Sequence, residues 1–171
     1  MGCSISYWEP LMSNRGRWAA IPIRLIVGYG FVAHGLAKLM RGPEVFIGIL
    51  HAMGVPAPAL MGWATIVVEL VGGLSVLAGA FVALVSLPMA AILIVAALTV
   101  HLPYGFSSIK LQSVTAAGAK FGQPGYELDL LYLACLATLV LSGSGPFAVD
   151  RMIAKRGNEK SGNREISKLA K

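Results

Sequence analysis

Apolar residues in this chain are grouped into long blocks, separated by short stretches of glycine, proline and charged residues. The first block begins near Trp18 and ends at the sequence RGPE, which starts at Arg41. A transmembrane helix needs about 20 apolar residues, and tryptophan is frequent where such helices leave the bilayer. The pattern therefore predicts a first transmembrane helix at 18–40.

A second apolar block contains 31 residues without a formal charge, between Glu69 and His101. It is too long for one membrane crossing. We divide it near the sequence GAFVA at 79–83, which predicts helices at 59–80 and 82–102 joined by a tight turn.

A fourth apolar block predicts a helix at 126–142, and the helix-breaking sequence GSGP follows it. These helices divide the chain into a leader at 1–17, a membrane domain at 18–147 and a basic tail at 148–171. The leader lacks the apolar stretch of a removable signal peptide, so the first helix is expected to remain in the mature protein.

The composition is that of a membrane protein. Hydrophobic residues make up 56% of the chain and charged residues 13%, whereas soluble domains contain about 25% charged residues. The expected fold is all-α, an integral membrane four-helix bundle.

Basic residues are distributed unevenly between the two ends of this bundle. The terminal segments carry nine, namely Arg15, Arg17 and the seven from Arg151 to Lys171. The opposite loops carry three, namely Arg41, Lys110 and Lys120. Because basic segments remain in the cytoplasm, both termini are expected to be cytoplasmic. The net charge of +6 then reflects topology and contact with anionic lipid, and no nucleic-acid partner is inferred.

Two charged residues lie inside the predicted helices. At about 1.5 Å per residue, Arg24 lies about 9 Å from the cytoplasmic edge, and Glu69 about 15 Å from the outer edge of a slab about 30 Å thick. Their depths differ by about 6 Å, which an arginine side chain can span. Arg24 and Glu69 are therefore expected to form a buried ion pair, which either fixes helix docking or handles substrate or protons.

A second set of polar residues is expected near the outer surface, and we call it the outer group. Its members are His34, Lys38, His101, Glu127 and Asp129. Together they could bind a small anion or the head group of a lipid-soluble ligand, or the histidines could relay protons. Individually, Lys38 could extend to the interface and His101 could cap a helix end.

Other site chemistry has little support in the sequence. Cys3 and Cys135 are too far apart along the predicted topology to form a dithiol pair. The three histidines lack metal-ligand spacing, and the chain has no metal, haem or nucleotide motif. The sequence identifies no catalytic residues, and it does not indicate whether the protein is an enzyme.

Several segments in order carry a family resemblance. They are RLIVGYGFVAHGLAK at 24–38, GVPAP at 54–58, VELVGGLSVLAG at 68–79, HLPYGFSS at 101–108, YELDLLYLACLATLVLSGSG at 126–145 and VDR at 149–151. With these segments the chain resembles the DoxX family of small four-helix bacterial membrane proteins. It departs from the family pattern at Ala148, where serine is common, and at Pro146, while Asp150 is retained.

The resemblance implies a place in the bacterial cytoplasmic membrane and an association with redox systems. One branch of the family is linked to quinone-dependent oxidation of thiosulfate, and another to detoxifying redox enzymes. The polar positions that match the family are Arg24, Lys38, Glu69 and Glu127.

Three functions remain open. The first is a redox-linked membrane subunit that binds quinone or a small anion, which requires a groove beside His34, Lys38 or His101. The second is a non-catalytic scaffold in contact with other membrane subunits or a second copy of itself. The third is a small-solute or proton pathway, which requires a wet path past Glu69. Membrane lipid is a partner in all three.

Overall fold

The computed structural model describes residues 18–153. Five helices and one β-hairpin follow each other along residues 20–142: α1 (Ala20–Arg41), α2 (Pro43–Ala52), α3 (Pro58–Ala78), α4 (Val82–Tyr104), β1 (Leu111–Thr115), β2 (Gly118–Phe121) and α5 (Glu127–Ser142). The chain is helical again at 149–153. The predicted leader and most of the predicted tail lie outside the described residues.

Helices α1, α3 and α4 are each long and apolar enough to cross a membrane. This confirms a mainly helical integral membrane protein. Helix α5 has 16 residues and is shorter than the usual length of about 20 for a crossing. Four crossings and cytoplasmic termini therefore stay predictions.

The four helices α1, α3, α4 and α5 pack around a narrow apolar core. Helix α1 contacts α3 and α5, and α4 contacts α5 and the middle of α3. The core residues are Ala20, Val27, Phe31, Val76, Val82, Met89, Leu136 and Leu139. Many large apolar side chains elsewhere point outward, as expected for helices that contact lipid.

Glycines bring the backbones of α1 and α3 into direct contact. A Cβ atom at Gly73 would lie 2.8 Å from the carbonyl oxygen of Gly28 and 2.9 Å from the amide nitrogen of Val32. Small residues allow such approach between membrane helices. The contact fixes how far α1 is shifted along α3.

Two helices contain a turn of π-helix. In α3 it covers Val68–Gly72, which includes Glu69, and in α4 it covers Ala97–His101. A π turn inserts one extra residue and redirects the side chains within it, and such turns are frequent at functional sites. Both turns hold an ionisable residue that the sequence analysis selected.

Two elements were not predicted from the sequence. Helix α2 follows α1 after a sharp turn at Gly42, whose φ of +93° is available to glycine, and Pro43 begins the new helix. The β-hairpin occupies the segment expected to be an outer loop. The apolar runs in both elements are too short to span a membrane, so the pattern of long apolar blocks does not reveal them.

The two ends of the described chain meet at one end of the bundle. The rings of Trp18 and Phe147 make an edge contact with centroids 5.9 Å apart. The amide nitrogen of Asp150 donates to the carbonyl of Gly79, in the turn between α3 and α4, at 3.1 Å. The start of α1, this turn and the segment after α5 therefore lie together.

The α1–α3 contact can be tested with Gly73→Ala. The new methyl group would meet backbone atoms that cannot move aside, so we expect the free energy of unfolding in detergent to fall by about 1–3 kcal/mol. Gly48→Ala in α2 is the control, because no atom lies within 4 Å of its added Cβ. The control should be neutral or slightly stabilising, since alanine favours helix. An unchanged stability for Gly73→Ala would contradict the close contact.

Candidate functional site

An ion pair joins α1 to the π turn of α3. The Nζ atom of Lys38 lies 2.5 Å and 2.7 Å from the two carboxylate oxygens of Glu69. The Glu69 side chain is only 6% exposed, and that of Lys38 is 21% exposed. The same Nζ lies 4.9 Å from the centroid of the Phe46 ring on α2, within range of a cation–π interaction. Lys38 thus connects three helices.

The predicted ion pair between Arg24 and Glu69 is wrong. The Arg24 guanidinium lies beside Gly79, which is ten residues, or about 15 Å, further along α3 than Glu69. The depth estimate of about 6 Å failed because it placed both helices symmetrically in a slab and ignored their glycine contacts.

The position of Lys38 explains why it takes the carboxylate instead. Glu69 is level with Gly35, since a Cβ atom at Gly35 would lie 3.2 Å from the Cβ of Glu69. Side chains on a helix lean toward its N-terminus, so Lys38 reaches back by one turn to meet Glu69.

Arg24 is bound by backbone carbonyl groups. Its Nε donates to Val76 at 3.1 Å and its Nη2 to Leu77 at 2.5 Å, both in the last turn of α3. Its Nη1 donates to Ser144 at 2.9 Å and to Pro146 at 3.4 Å, after α5. The last carbonyls of a helix have no partners within it and carry partial negative charge. The arginine therefore neutralises a helix end and ties it to the segment after α5.

Asp150 accepts hydrogen bonds from backbone N–H groups at the start of α4. Its carboxylate oxygens accept from the amide nitrogens of Phe81 at 2.7 Å and Val82 at 3.3 Å. An acceptor at this place satisfies free N–H groups at a helix N-terminus. Asp150 was noted in the sequence as part of VDR but was not selected as a site residue.

The structure brings two members of the outer group together. The Nδ1 atom of His101, in the π turn of α4, lies 2.6 Å from Oδ2 of Asp129 on α5. The Asp129 side chain is 8% exposed and that of His101 27%. A carboxylate on one ring nitrogen orients the imidazole and leaves Nε2 for another partner.

Glu127 fixes the chain at the start of α5. Its Oε2 accepts from the amide nitrogen of Ser108 at 2.9 Å. This bond holds the segment after α4 against α5. The outer group is thus divided: Lys38 pairs with Glu69, His101 pairs with Asp129, Glu127 makes this loop contact, and none of these contacts involves His34. Within residues 18–153 no hydrogen bond joins the two pairs.

A pocket of about 210 Å³ lies between α1 and α2, and we call it the α1–α2 pocket. Its lining residues are His34, Ala37, Lys38, Arg41, Gly42, Val45, Phe46 and Ile49. His34 is exposed at its rim. Sequence reasoning assigned Arg41 to a loop, although its spacing from His34 and Lys38 places all three on one helix face.

The described part of the chain has neither a cluster of metal ligands nor a pair of cysteines. Residues 18–153 contain no group of three or more His, Cys, Asp or Glu side chains placed to hold a metal ion. Cys135 is a free, half-buried thiol on α5. The polar side chains described at the site are those of Lys38, Arg41, Glu69, His101 and Asp129.

A double-mutant cycle tests which basic residue pairs with Glu69. Glu69→Met should lower the free energy of unfolding by about 3 kcal/mol, the low end for a broken buried pair, because part of Lys38 is exposed. Adding Lys38→Met should restore part of the loss. Adding Arg24→Met should instead deepen it, because Arg24 binds four carbonyls elsewhere. Recovery with Arg24→Met and none with Lys38→Met would contradict the observed pairing.

Comparisons with known proteins identify a family and several relatives. The sequence model of the DoxX family matches residues 19–102. An uncharacterized membrane protein of Mycobacterium tuberculosis is 29% identical, with 91% of this chain and 93% of that protein aligned. An uncharacterized protein of Haemophilus influenzae is 30% identical, with 78% of this chain and 90% of the relative aligned. The Bacillus subtilis protein named "Putative oxidoreductase CatD" is 31% identical, with 82% and 90% aligned.

No solved structure matches the chain. The family match covers α1 to α4, which carry Arg24, Lys38, Glu69 and His101, and the relatives extend the similarity over most of the sequence. The resemblance drawn from the ordered segments is confirmed, and this chain belongs to the DoxX family.

Proposed function

We propose that this protein is a redox-associated membrane subunit that holds the head group of a quinone in the α1–α2 pocket. The observation that carries the proposal is a pocket that combines basic donors with an aromatic ring, beside a buried ion pair. The name of the Bacillus subtilis relative, "Putative oxidoreductase CatD", agrees with a redox association. The proposal includes a partner protein that exchanges electrons with the quinone.

The donors of the pocket suit the oxygens of a quinone. Lys38 has three N–H donors, and Glu69 accepts two of them, which leaves one for a ligand. Arg41 adds a planar fork of donors, and the Phe46 ring offers a flat surface. A quinone gains negative charge on its oxygens when it is reduced, and both basic residues would stabilise that charge.

The size of the pocket limits what it can hold. Typical small-molecule sites measure about 300–1,000 Å³, and this pocket of about 210 Å³ is smaller. A single ring would fit, whereas an isoprenoid tail would have to lie along the outward apolar side chains such as Val45 and Ile49. A small anion could use the same donors, so the experiment separates these two ligands.

The proposal predicts that Arg41→Gln weakens quinone binding. A hydrogen bond from a charged donor contributes about 1.5–3 kcal/mol, so the Kd of a short-chain quinone should rise by about tenfold or more. Titration of the protein in nanodiscs, followed by the quenching of its tryptophan fluorescence, would measure this. Lys110→Gln is the control, since it removes a basic residue outside the pocket and should leave the Kd unchanged.

Two outcomes would contradict quinone binding in this pocket. Equal effects of Arg41→Gln and Lys110→Gln would mean that only net charge matters. Displacement of the quinone by millimolar inorganic sulfate, with loss of sulfate binding in Arg41→Gln, would instead identify an anion site.

We also propose four membrane crossings with both termini in the cytoplasm. Contact between Trp18 and Phe147 supports an even number of crossings, because it brings the beginning of α1 and the segment after α5 to one end. The excess of basic residues at that end supports its cytoplasmic location. Helix α5 would then cross a locally thinned bilayer, or cross together with the residues that flank it.

Cysteine labelling of intact cells tests this topology. Thr115→Cys in the hairpin should react with a membrane-impermeant maleimide, and Met152→Cys should react only after permeabilisation. Both positions are exposed, so each thiol is accessible on its own side. Cys3→Ser and Cys135→Ser provide the background. Labelling of residue 152 but not 115 in intact cells would reverse the orientation.

A further inference from the structure

The β-hairpin has one apolar face and one polar face. Leu111 pairs with Phe121 and Val114 pairs with Ala119, while Ser113 pairs with Lys120. Residues in a strand alternate between the two faces, so positions three apart would ordinarily lie on opposite faces. An irregularity between Leu111 and Ser113 adds one residue and brings Leu111 and Val114 to the same face.

The apolar face has no cover within the described residues. Leu111 is 59% exposed, Val114 is 71% exposed and Phe121 is 58% exposed. The β-bulge places these apolar side chains on one face, where they are exposed. An exposed apolar face of this kind indicates an interaction surface for a partner outside the bundle.

Backbone hydrogen bonds connect the hairpin to the membrane helices. Below the two strands, backbone hydrogen bonds continue from Gly122 to Lys110 at 2.8 Å and from Gly125 to Ser107 at 3.0 Å. They end where Tyr126 donates to Gly105 at 3.1 Å, at the junction of α4 and α5. The hairpin is therefore joined directly to the end of α4 and the start of α5.

The chemistry around the hairpin is that of a membrane interface. Between Gly105 and Tyr126 the chain carries Lys110 and Lys120 and no acidic residue, so the segment complements anionic lipid head groups. Phe106 and Tyr126 make an edge contact at 5.7 Å at its base. Aromatic rings and lysines are typical of the level at which helices leave the bilayer.

The outward apolar surface of α4 also leads toward the hairpin. Leu98 and Leu102, in the last turns of α4, are both more than half exposed. In a membrane protein such side chains contact lipid. The hairpin follows this lipid-facing surface along the chain, since α4 ends at Tyr104 and β1 begins at Leu111.

We propose that the hairpin lies on the bilayer as an in-plane anchor. Its apolar face enters the boundary between head groups and acyl chains. Lys120 on the polar face and Lys110 just before β1 stay in the head-group layer, where anionic phospholipid attracts them. The anchor is independent of the α1–α2 pocket, so it stands whether or not that pocket binds quinone.

Spin labels on the two faces of β1 test the anchor. The labels are attached to Val114→Cys and, as the matched control, to Thr115→Cys on the opposite face, with Cys3→Ser and Cys135→Ser in the full chain. In nanodiscs of phosphatidylcholine and phosphatidylglycerol, the label at 114 should collide several-fold more with oxygen than with a water-soluble nickel complex. The label at 115 should show the reverse.

The lipid charge provides a second measurement. Lys110→Gln and Lys120→Gln should each lower the ratio of labels immersed in lipid to labels exposed to water at position 114. The expected decrease is about fivefold, the equivalent of about 1 kcal/mol per basic residue. In nanodiscs of phosphatidylcholine alone, the two substitutions should have little effect.

Two results would overturn the anchor. High collision with the nickel complex at both 114 and 115 would mean that the hairpin stands in water. Low collision with both reagents at 114 would mean that protein covers the face, and spin–spin broadening between labels would then identify a second copy of this chain.

Discussion

The backbone contact between α1 and α3 at Gly28 and Gly73 is the constraint on which the polar architecture depends. It allows the helices to meet along one line and sets their relative shift along the bundle axis. With this shift Glu69 is level with Gly35, within reach of Lys38, and Arg24 is level with the end of α3. Arg24 and Lys38 therefore reach their partners because the close contact at the two glycines sets the register of α1 against α3.

At the end of the bundle near Arg24 and Asp150, the backbone groups of two helix ends have hydrogen-bond partners. The final carbonyls of α3 and the first amides of α4 lie close together at a tight turn, and neither set can be left unpaired near lipid. Arg24 donates to the carbonyls and Asp150 accepts from the amides. Asp150 lies after α5, so a segment far away in sequence supplies the hydrogen-bond acceptor for the turn between α3 and α4.

Much of the helical arrangement was predictable from the sequence, because long apolar blocks and their glycine and proline boundaries reflect the thickness of a bilayer. Observed helix bounds lie within two residues of the predicted ones for α1, α3, α4 and α5. The partner of Glu69 was not predictable, since it depends on a shift between helices that hydropathy does not encode. The choice of polar residues was more informative than their pairing, as Lys38 contacts Glu69 and His101 contacts Asp129 through their side chains.

Helix α2, the β-bulge of the hairpin and the π turns escaped prediction for different reasons. The pattern at 42–44 contains a helix start, with glycine, proline and an acidic residue in order, and could have been recognised. The bulge requires knowledge of which strand residues face each other, and the π turns leave no mark in the apolar pattern.

The π turn of α3 has a consequence for changes in chain length. A residue added to an α-helix rotates everything after it by about 100°, whereas a π turn absorbs the addition within a single turn. The half of α3 before the turn keeps its face toward α2, and the half after it keeps its face toward α1. A relative with one residue fewer here would preserve both packing surfaces and redirect its carboxylate, so the polar contact between α1 and α3 would change while the bundle stays the same.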